Sequence, residues 1–218
     1  MDPKTVLAHV DHTLLKPEAT REEIAKLCRE AVESGCASVC VQPCHVAFCK
    51  ELLQGTVPVC TVIGFPLGAS TTETKVFEAK NAVACGADEI DMVINIGMLK
   101  EKRFDDVEAE IRKVKHAIGG HTLKVIIEAC LLADGEKAAM CRIVADAGAD
   151  YIKTSTGFST GGANAHDVAL LVRESQGRIK VKAAGGIKTY ADMEAFLALG
   201  ADRLGSSSAV RIVREQKL

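Results

Sequence analysis

Asp91, Lys153 and Lys182 are charged residues set inside short apolar runs: Ile90-Asp91-Met92-Val93, Tyr151-Ile152-Lys153-Thr154 and Val181-Lys182-Ala183-Ala184. A charge in such a run is costly unless it is paired or put to use. Two of the three also share an offset. In Gly86-Ala87-Asp88-Glu89-Ile90-Asp91 and Gly148-Ala149-Asp150-Tyr151-Ile152-Lys153, the special residue is the fifth after the glycine. Gly200-Ala201-Asp202-Arg203-Leu204-Gly205 is a third copy, and Gly35-Cys36-Ala37-Ser38-Val39-Cys40 a weaker fourth. Repeats of one αβ element would project Asp91, Lys153 and Gly205 from equivalent depths of one parallel sheet. An acid, an amine and a bare backbone position would then surround one pocket.

Two ammonium groups in one pocket repel each other. A lysine that is buried beside another cation is driven toward the free amine, and a free amine attacks carbonyls to form a Schiff base. The residues alone leave open which lysine attacks. The shared offset favours Lys153, with Lys182 as the cation that tunes it. The plainer readings are a lysine that snorkels to water from a strand end and an aspartate that accepts a backbone amide. Lys180, two residues before Lys182, weakens the case for Lys182 taken alone.

The surrounding pattern must supply the elements that hold these residues. A short helix is expected over Pro3 to Ala8, then a strand near His9-Val10-Asp11. Thr20-Arg21-Glu22-Glu23 is a capping-box pattern that opens a helix running to Ser34. Further strands are expected at Ser38 to Val41, Val57 to Ile63, Glu89 to Ile94, Leu123 to Ile127, Tyr151 to Thr154, Ile179 to Ala183 and Arg203 to Gly205. Helices fall between them, and a polar loop runs from Ser155 to Asn164. Eight strands alternating with helices give a parallel sheet with right-handed crossovers. The expected fold is therefore a (β/α)8 TIM barrel in one domain, residues 1–218, with a short N-terminal helix. An open doubly wound sheet is the rival, but no strand is followed by Gly-x-Gly-x-x-Gly.

Composition narrows the function classes. Aromatic residues make up 4% and Trp is absent, so the core must come from Val, Ile, Leu and Ala, as in buried parallel strands. A net charge of -2 provides no basic field for nucleic acid or an anionic membrane, so any phosphate must be held locally. The nine cysteines are odd in number and mostly lie inside apolar runs, which points to reduced thiols in a cytoplasmic protein. Cys36, Cys40 and Cys44 are spaced by four, but no second Cys/His pair completes a four-ligand set. No apolar run approaches membrane-spanning length, and the N-terminus lacks a signal pattern.

Barrel active sites lie at the C-terminal ends of the strands. Ala183-Ala184-Gly185-Gly186-Ile187 and Leu204-Gly205-Ser206-Ser207-Ser208 follow the seventh and eighth strands. Loops at these two positions form the recurrent phosphate site of such barrels, with glycines admitting backbone N–H groups and serines adding hydroxyls. A plain turn at Gly185-Gly186 and a helix cap at the serines are the bland alternatives.

Five segments together resemble the deoxyribose-phosphate aldolase family: Asp11-His12-Thr13-Leu14-Leu15, Glu89-Ile90-Asp91-Met92-Val93, Tyr151-Ile152-Lys153-Thr154-Ser155-Thr156-Gly157, Val181-Lys182-Ala183-Ala184-Gly185-Gly186-Ile187 and Gly205-Ser206-Ser207-Ser208. The likeness spans nearly the whole chain in order. It implies a TIM-barrel lyase that cleaves 2-deoxy-D-ribose 5-phosphate to D-glyceraldehyde 3-phosphate and acetaldehyde, with no metal or other cofactor. By the same resemblance Lys153 is the Schiff-base lysine, Lys182 the second lysine, Asp91 the carboxylate of the proton relay, and Asp11 its support. Thr154 and Thr156 fall in the supporting segment, and Gly185, Gly186, Gly205, Ser207 and Ser208 on the phosphate side. Two departures stand out. Some members end in a tyrosine on a mobile tail, where this chain ends Glu215-Gln216-Lys217-Leu218. Some carry a lysine where this chain has Phe158. A dimeric or tetrameric state is left open by the sequence.

Two rival readings have residues of their own. His9 and Asp11 share a face of the first strand, a spacing that suits a metal-dependent aldolase or isomerase. A barrel that binds a phosphate ligand without turnover would keep the Gly/Ser loops and need no paired lysines.

Overall fold

A computed structural model describes residues 1–216. Eight parallel strands close into a barrel in sequence order: β1 Val10–Leu14, β2 Ser38–Val41, β3 Val59–Ile63, β4 Glu89–Val93, β5 Thr122–Ile126, β6 Tyr151–Lys153, β7 Lys180–Ala184 and β8 Arg203–Ser206. β8 pairs with β1 through Val10↔Leu204, Asp11↔Gly205 and His12↔Ser206. This closure excludes the open-sheet rival. The helices are α1 Pro3–Leu7, α2 Arg21–Ser34, α3 Val46–Leu53, α4 Thr72–Ala84, α5 Ile96–Lys100, α6 Phe104–Ile118, α7 Asp134–Asp146, α8 Ala165–Ser175, α9 Tyr190–Ala198 and α10 Ala209–Glu215.

Alternation along each strand sorts side chains into two environments. Outward residues such as Val39, Val59, Ile90, Met92, Val125, Ile152, Val181 and Leu204 are buried under the helices and belong to one continuous apolar core. Inward residues are far more polar. The apolar cluster inside the barrel is small, comprising Leu15, Cys40, Cys60 and Val62 with Phe65 against it. The rest of the barrel's centre carries charge, and the outer ring of apolar packing must hold the closed sheet around it.

The Gly-Ala-Asp repeat has a physical basis. Gly86, Gly148 and Gly200 take φ of 105°, 80° and 100°, a left-handed backbone that stops the preceding helix. Two residues on, Asp88, Asp150 and Asp202 accept the N–H of Val59, Leu123 and Val181, the residues at or near the start of the preceding strands, at 2.8, 2.8 and 2.9 Å. The N–H groups of the same aspartates donate back to the carbonyls of those residues at 2.8, 3.0 and 2.8 Å. Each Gly-Ala-Asp therefore locks one even-numbered strand in register against its odd-numbered predecessor. Because side chains alternate, the third residue after the aspartate faces inward.

Several boundaries differ from expectation. β1 runs on to Leu14, carrying Thr13 into the barrel mouth. An extra helix, α5, follows β4, where Asn95 Oδ1 accepts the N–H of Met98 at 3.1 Å. Five residues are too short a run for periodicity to announce. All nine cysteines are unpaired, and no helix among the described residues is long and apolar enough to cross a membrane.

Candidate active site

Inward residues stack in layers of four drawn from alternate strands, the architecture of this barrel class. Nearest the N-terminal mouth, the even strands contribute Ser38, Glu89, Tyr151 and Arg203. Above them the odd strands contribute Asp11, Cys60, Lys124 and Lys182. The next even layer is Cys40, Asp91, Lys153 and Gly205, the four residues that the glycine repeat singles out. Thr13, Val62, Ile126 and Ala184 lie toward the C-terminal mouth.

Asp91 is the hub. It is fully buried. Its Oδ2 accepts from both Lys153 Nζ and Lys182 Nζ at 2.7 Å, and its Oδ1 accepts from Lys124 Nζ at 2.9 Å and the Cys60 thiol at 3.1 Å. Lys182 also pairs with Asp11. Lys124 reaches Glu89 at 2.5 Å and Asp11 at 3.6 Å, and Arg203 reaches Asp11 at 2.5 Å and Glu89 at 3.3 Å. Four cationic groups thus face three carboxylates. Lys153 has one carboxylate partner, whereas Lys182, Lys124 and Arg203 each have two or three.

Pairing decides the protonation of the hub. Burial pushes the Asp91 carboxyl up, but Lys124, Lys153 and Lys182 outweigh it and hold the group well below the ordinary carboxylate range. Asp11 is likewise held low, its burial overcome by Lys182, Lys124 and Arg203. Burial pulls the Lys182 ammonium down, yet Asp11 and Asp91 hold it above the usual lysine range. Lys182 is therefore a fixed cation, anchored on two carboxylates. Burial raises the Cys60 thiol well above its normal value, which keeps it a donor toward Asp91. Lys180 faces inward too, but it is exposed at the start of β7 and lies 5.5 Å over the Tyr151 ring. Depth in the barrel separates it from Lys182.

Gly205 makes room for this cluster. A Cβ there would lie 2.9 Å from Ala184 Cβ and 3.2 Å from Lys182 Cε. The missing side chain is the channel through which Lys182 rises toward Asp91.

Above Lys153 opens a cavity of about 260 Å³. Lys153 contributes to its floor, and Thr13, Lys16, Gly157, Phe158, Gly185, Gly186, Gly205, Ser206 and Ser207 are among the residues around it. Asp91, Lys124 and Lys182 do not border it, so Lys153 is the one amine of the buried cluster at the cavity. The glycine-rich wall is tight: a Cβ on Gly162 would meet the Gly185 carbonyl oxygen at 2.4 Å. The N–H of Ala163 donates to the carbonyls of Ala184 and Gly185 at 3.1 and 3.0 Å, pinning the loop after β6 to the loop after β7.

Residues 5–206 match the family model of the DeoC/LacD family aldolases. The chain belongs to that family. It is 52% identical to the deoxyribose-phosphate aldolase of Clostridium kluyveri over 99% of this chain and 100% of that one. It is 56% identical to the enzyme of the same name from Lysinibacillus sphaericus, over 94% of this chain and 92% of that one. Among solved structures, the tetrameric deoxyribose phosphate aldolase of Aeropyrum pernix superposes with a TM-score of 0.90 at 34% identity, covering 99% of this chain and 92% of that one.

The sequence-derived site residues of this aldolase fall into three groups. Asp11, Asp91, Lys153 and Lys182 meet in one hydrogen-bonded cluster. Gly185, Gly186, Gly205, Ser207 and Thr156 line the cavity. Thr154 and Ser208 do not. The Thr154 hydroxyl donates to the Ala184 carbonyl and accepts the Ala184 N–H, both at 3.1 Å, which ties β6 to β7. The Ser208 hydroxyl donates to the Ile187 carbonyl at 3.4 Å, bracing one loop against the next. Thr156 is held from behind by Glu128, which accepts both its N–H, at 3.2 Å, and its hydroxyl. His9 turns away from the barrel: its Nδ1–H donates to the Thr5 carbonyl on α1 at 2.8 Å. No described trio of potential ligand side chains within reach of one ion includes His9.

Lys124, Glu89, Arg203 and Cys60 escaped the sequence reading, as did Lys16 and Thr13. Lys124 had a usable signal, because Thr122-Leu123-Lys124-Val125-Ile126 is another apolar strand with one charge inside it. Glu89 and Arg203 sit in the repeats themselves, two residues before Asp91 and Gly205 and therefore on the same inward face.

Proposed function

We propose that this aldolase cleaves 2-deoxy-D-ribose 5-phosphate reversibly to D-glyceraldehyde 3-phosphate and acetaldehyde, through a Schiff base on Lys153. The observation that carries the reading is that Lys153 alone joins the buried charge cluster to the open cavity. Relatives named for this activity match over nearly the whole chain. In this cluster of four cationic groups and three carboxylates, Lys153 has the fewest carboxylate partners.

The free amine adds to the C1 aldehyde of the open-chain sugar, and loss of water gives an iminium. The C3 hydroxyl then passes its proton through a water to the Asp91 carboxylate, while Lys182, anchored on Asp11 and Asp91, stays charged. The C2–C3 bond breaks, its electron pair moves into the iminium, and glyceraldehyde 3-phosphate leaves an enamine on Lys153. Protonation of the enamine at C2 and hydrolysis release acetaldehyde and restore the amine. Grip on the phosphate at the Gly/Ser wall orients the reacting carbons from a remote group. A reducing, cytoplasmic setting suits the nine free thiols. The tetramer described for the Aeropyrum pernix aldolase supports self-association of this chain as well.

Borohydride reduction in the presence of deoxyribose 5-phosphate, followed by peptide mapping, tests the assignment. The expected adduct is on Lys153, formed with chelator present. An adduct on another residue, or acetaldehyde release abolished by chelation, overturns the mechanism.

A further inference from the structure

The cavity wall that faces the substrate's phosphate has neutral donors and one cation. Gly185, Gly186, Gly205, Ser206 and Ser207 offer N–H groups and hydroxyls. A phosphate monoester brings about 1.5 to 2 negative charges at neutral pH. Among the described residues no Asp or Glu borders the cavity, and the Lys and Arg residues that border it are Lys153 and Lys16. Lys153 is occupied with Asp91 and with the carbonyl carbon, which leaves Lys16.

Lys16 is set up for that task. Its ammonium makes no ion pair within 4.0 Å and no hydrogen bond among the described residues, and the Glu23 carboxylate at the start of α2 is a charge it acts on. Its backbone is held on both sides. The Leu15 carbonyl accepts from Gln42 Nε2 at 2.9 Å, and the Lys16 carbonyl accepts the N–H of Ala19 at 3.2 Å across Pro17. The loop leaves β1, which is paired with β8 through His12↔Ser206, and so stands beside the serines that follow β8. On the other flank, Phe158 packs edge-on against Phe65 with centroids 5.3 Å apart and brings no charge.

We propose that Lys16 recognises the substrate's phosphate and sets this enzyme's preference for phosphorylated over plain sugar aldehydes, an assignment that rests on the aldolase reading above. Lys16 is solvent-exposed, so the contact is a partly hydrated, charge-assisted one worth about tenfold in affinity.

The experiment compares wild type, Lys16→Met and Lys16→Arg in kcat/KM for 2-deoxyribose 5-phosphate and for 2-deoxyribose, with the affinity for inorganic phosphate measured by calorimetry. The ratio of the two kcat/KM values is expected to fall about tenfold in Lys16→Met, chiefly through KM for the phosphorylated sugar. Phosphate affinity falls by a similar factor, and Lys16→Arg retains the ratio to within about threefold. A Lys16→Met enzyme that keeps both the ratio and the phosphate affinity of wild type overturns the assignment. If wild type itself fails to cleave deoxyribose 5-phosphate, the aldolase reading falls, and the phosphate affinities of the three proteins still decide the role of Lys16.

Discussion

Replacing Asp91 by asparagine keeps the shape of the hub and removes its charge. The cluster then holds four cationic groups against two carboxylates, Asp11 and Glu89, in a region sealed from water. Geometry adds to the damage. Asp91 accepts on both oxygens, from Lys153 and Lys182 on one side and from Lys124 and Cys60 on the other. An amide has one oxygen, so either orientation points an –NH2 donor at a lysine ammonium. Removing one partner of a buried ion pair costs about 3–5 kcal/mol. The substituted side chain can still accept on one side, so the lower half of that range is expected at pH 7, read as a lowered urea midpoint at unchanged m. In the proposed mechanism Asp91 also carries a proton, and its loss there costs a further 10²- to 10⁴-fold in turnover, roughly. Urea titration followed by assay of acetaldehyde release gives both numbers. A stability loss below about 1 kcal/mol, the size of an exposed pair, would refute the argument that this hub is buried and over-subscribed.

Gly205→Ala forces a methyl within 2.9 Å of Ala184 Cβ and 3.2 Å of Lys182 Cε. Overpacking of this kind costs about 1–3 kcal/mol, or roughly 2–12 °C in Tm for a chain of this size, and turnover falls with the displaced Lys182. Unchanged Tm and turnover would mean that the position has slack. For pH, Asp11 and Asp91 have folded pKa values held below their unfolded ones, despite burial, by the surrounding lysines. Their stabilisation is complete above about pH 4 and is lost as pH falls further. Lys182 and Lys124 are held above their unfolded values by the carboxylates, so their contribution is complete below about pH 10.5 and fades as pH rises beyond it. Over a series of urea midpoints taken between about pH 5 and pH 3, Asp91→Asn is expected to fall less steeply than wild type. Parallel curves would show that the acid limb comes from other groups.

The amino-acid sequence determined the alternation of eight strands with helices, and it marked one layer of the barrel in advance. Gly-Ala-Asp is legible because it does local work: the glycine needs a left-handed backbone to end a helix, and the aspartate grips the start of the preceding strand. Counting three residues on from that grip selects Asp91, Lys153 and Gly205 by the alternation of side chains alone. The odd strands have no such punctuation, so the Asp11, Cys60, Lys124 and Lys182 layer became visible as a unit only in the closed barrel. Lys182 and Asp11 lie 171 positions apart, and their pairing depends on β8 meeting β1 with a particular stagger. The tertiary structure likewise decided that Thr154 and Ser208 brace loops while Lys16 borders the cavity. Strand period fixes which face a side chain takes. How deep that face lies, how many charges share it and which of them touches solvent are properties of closure.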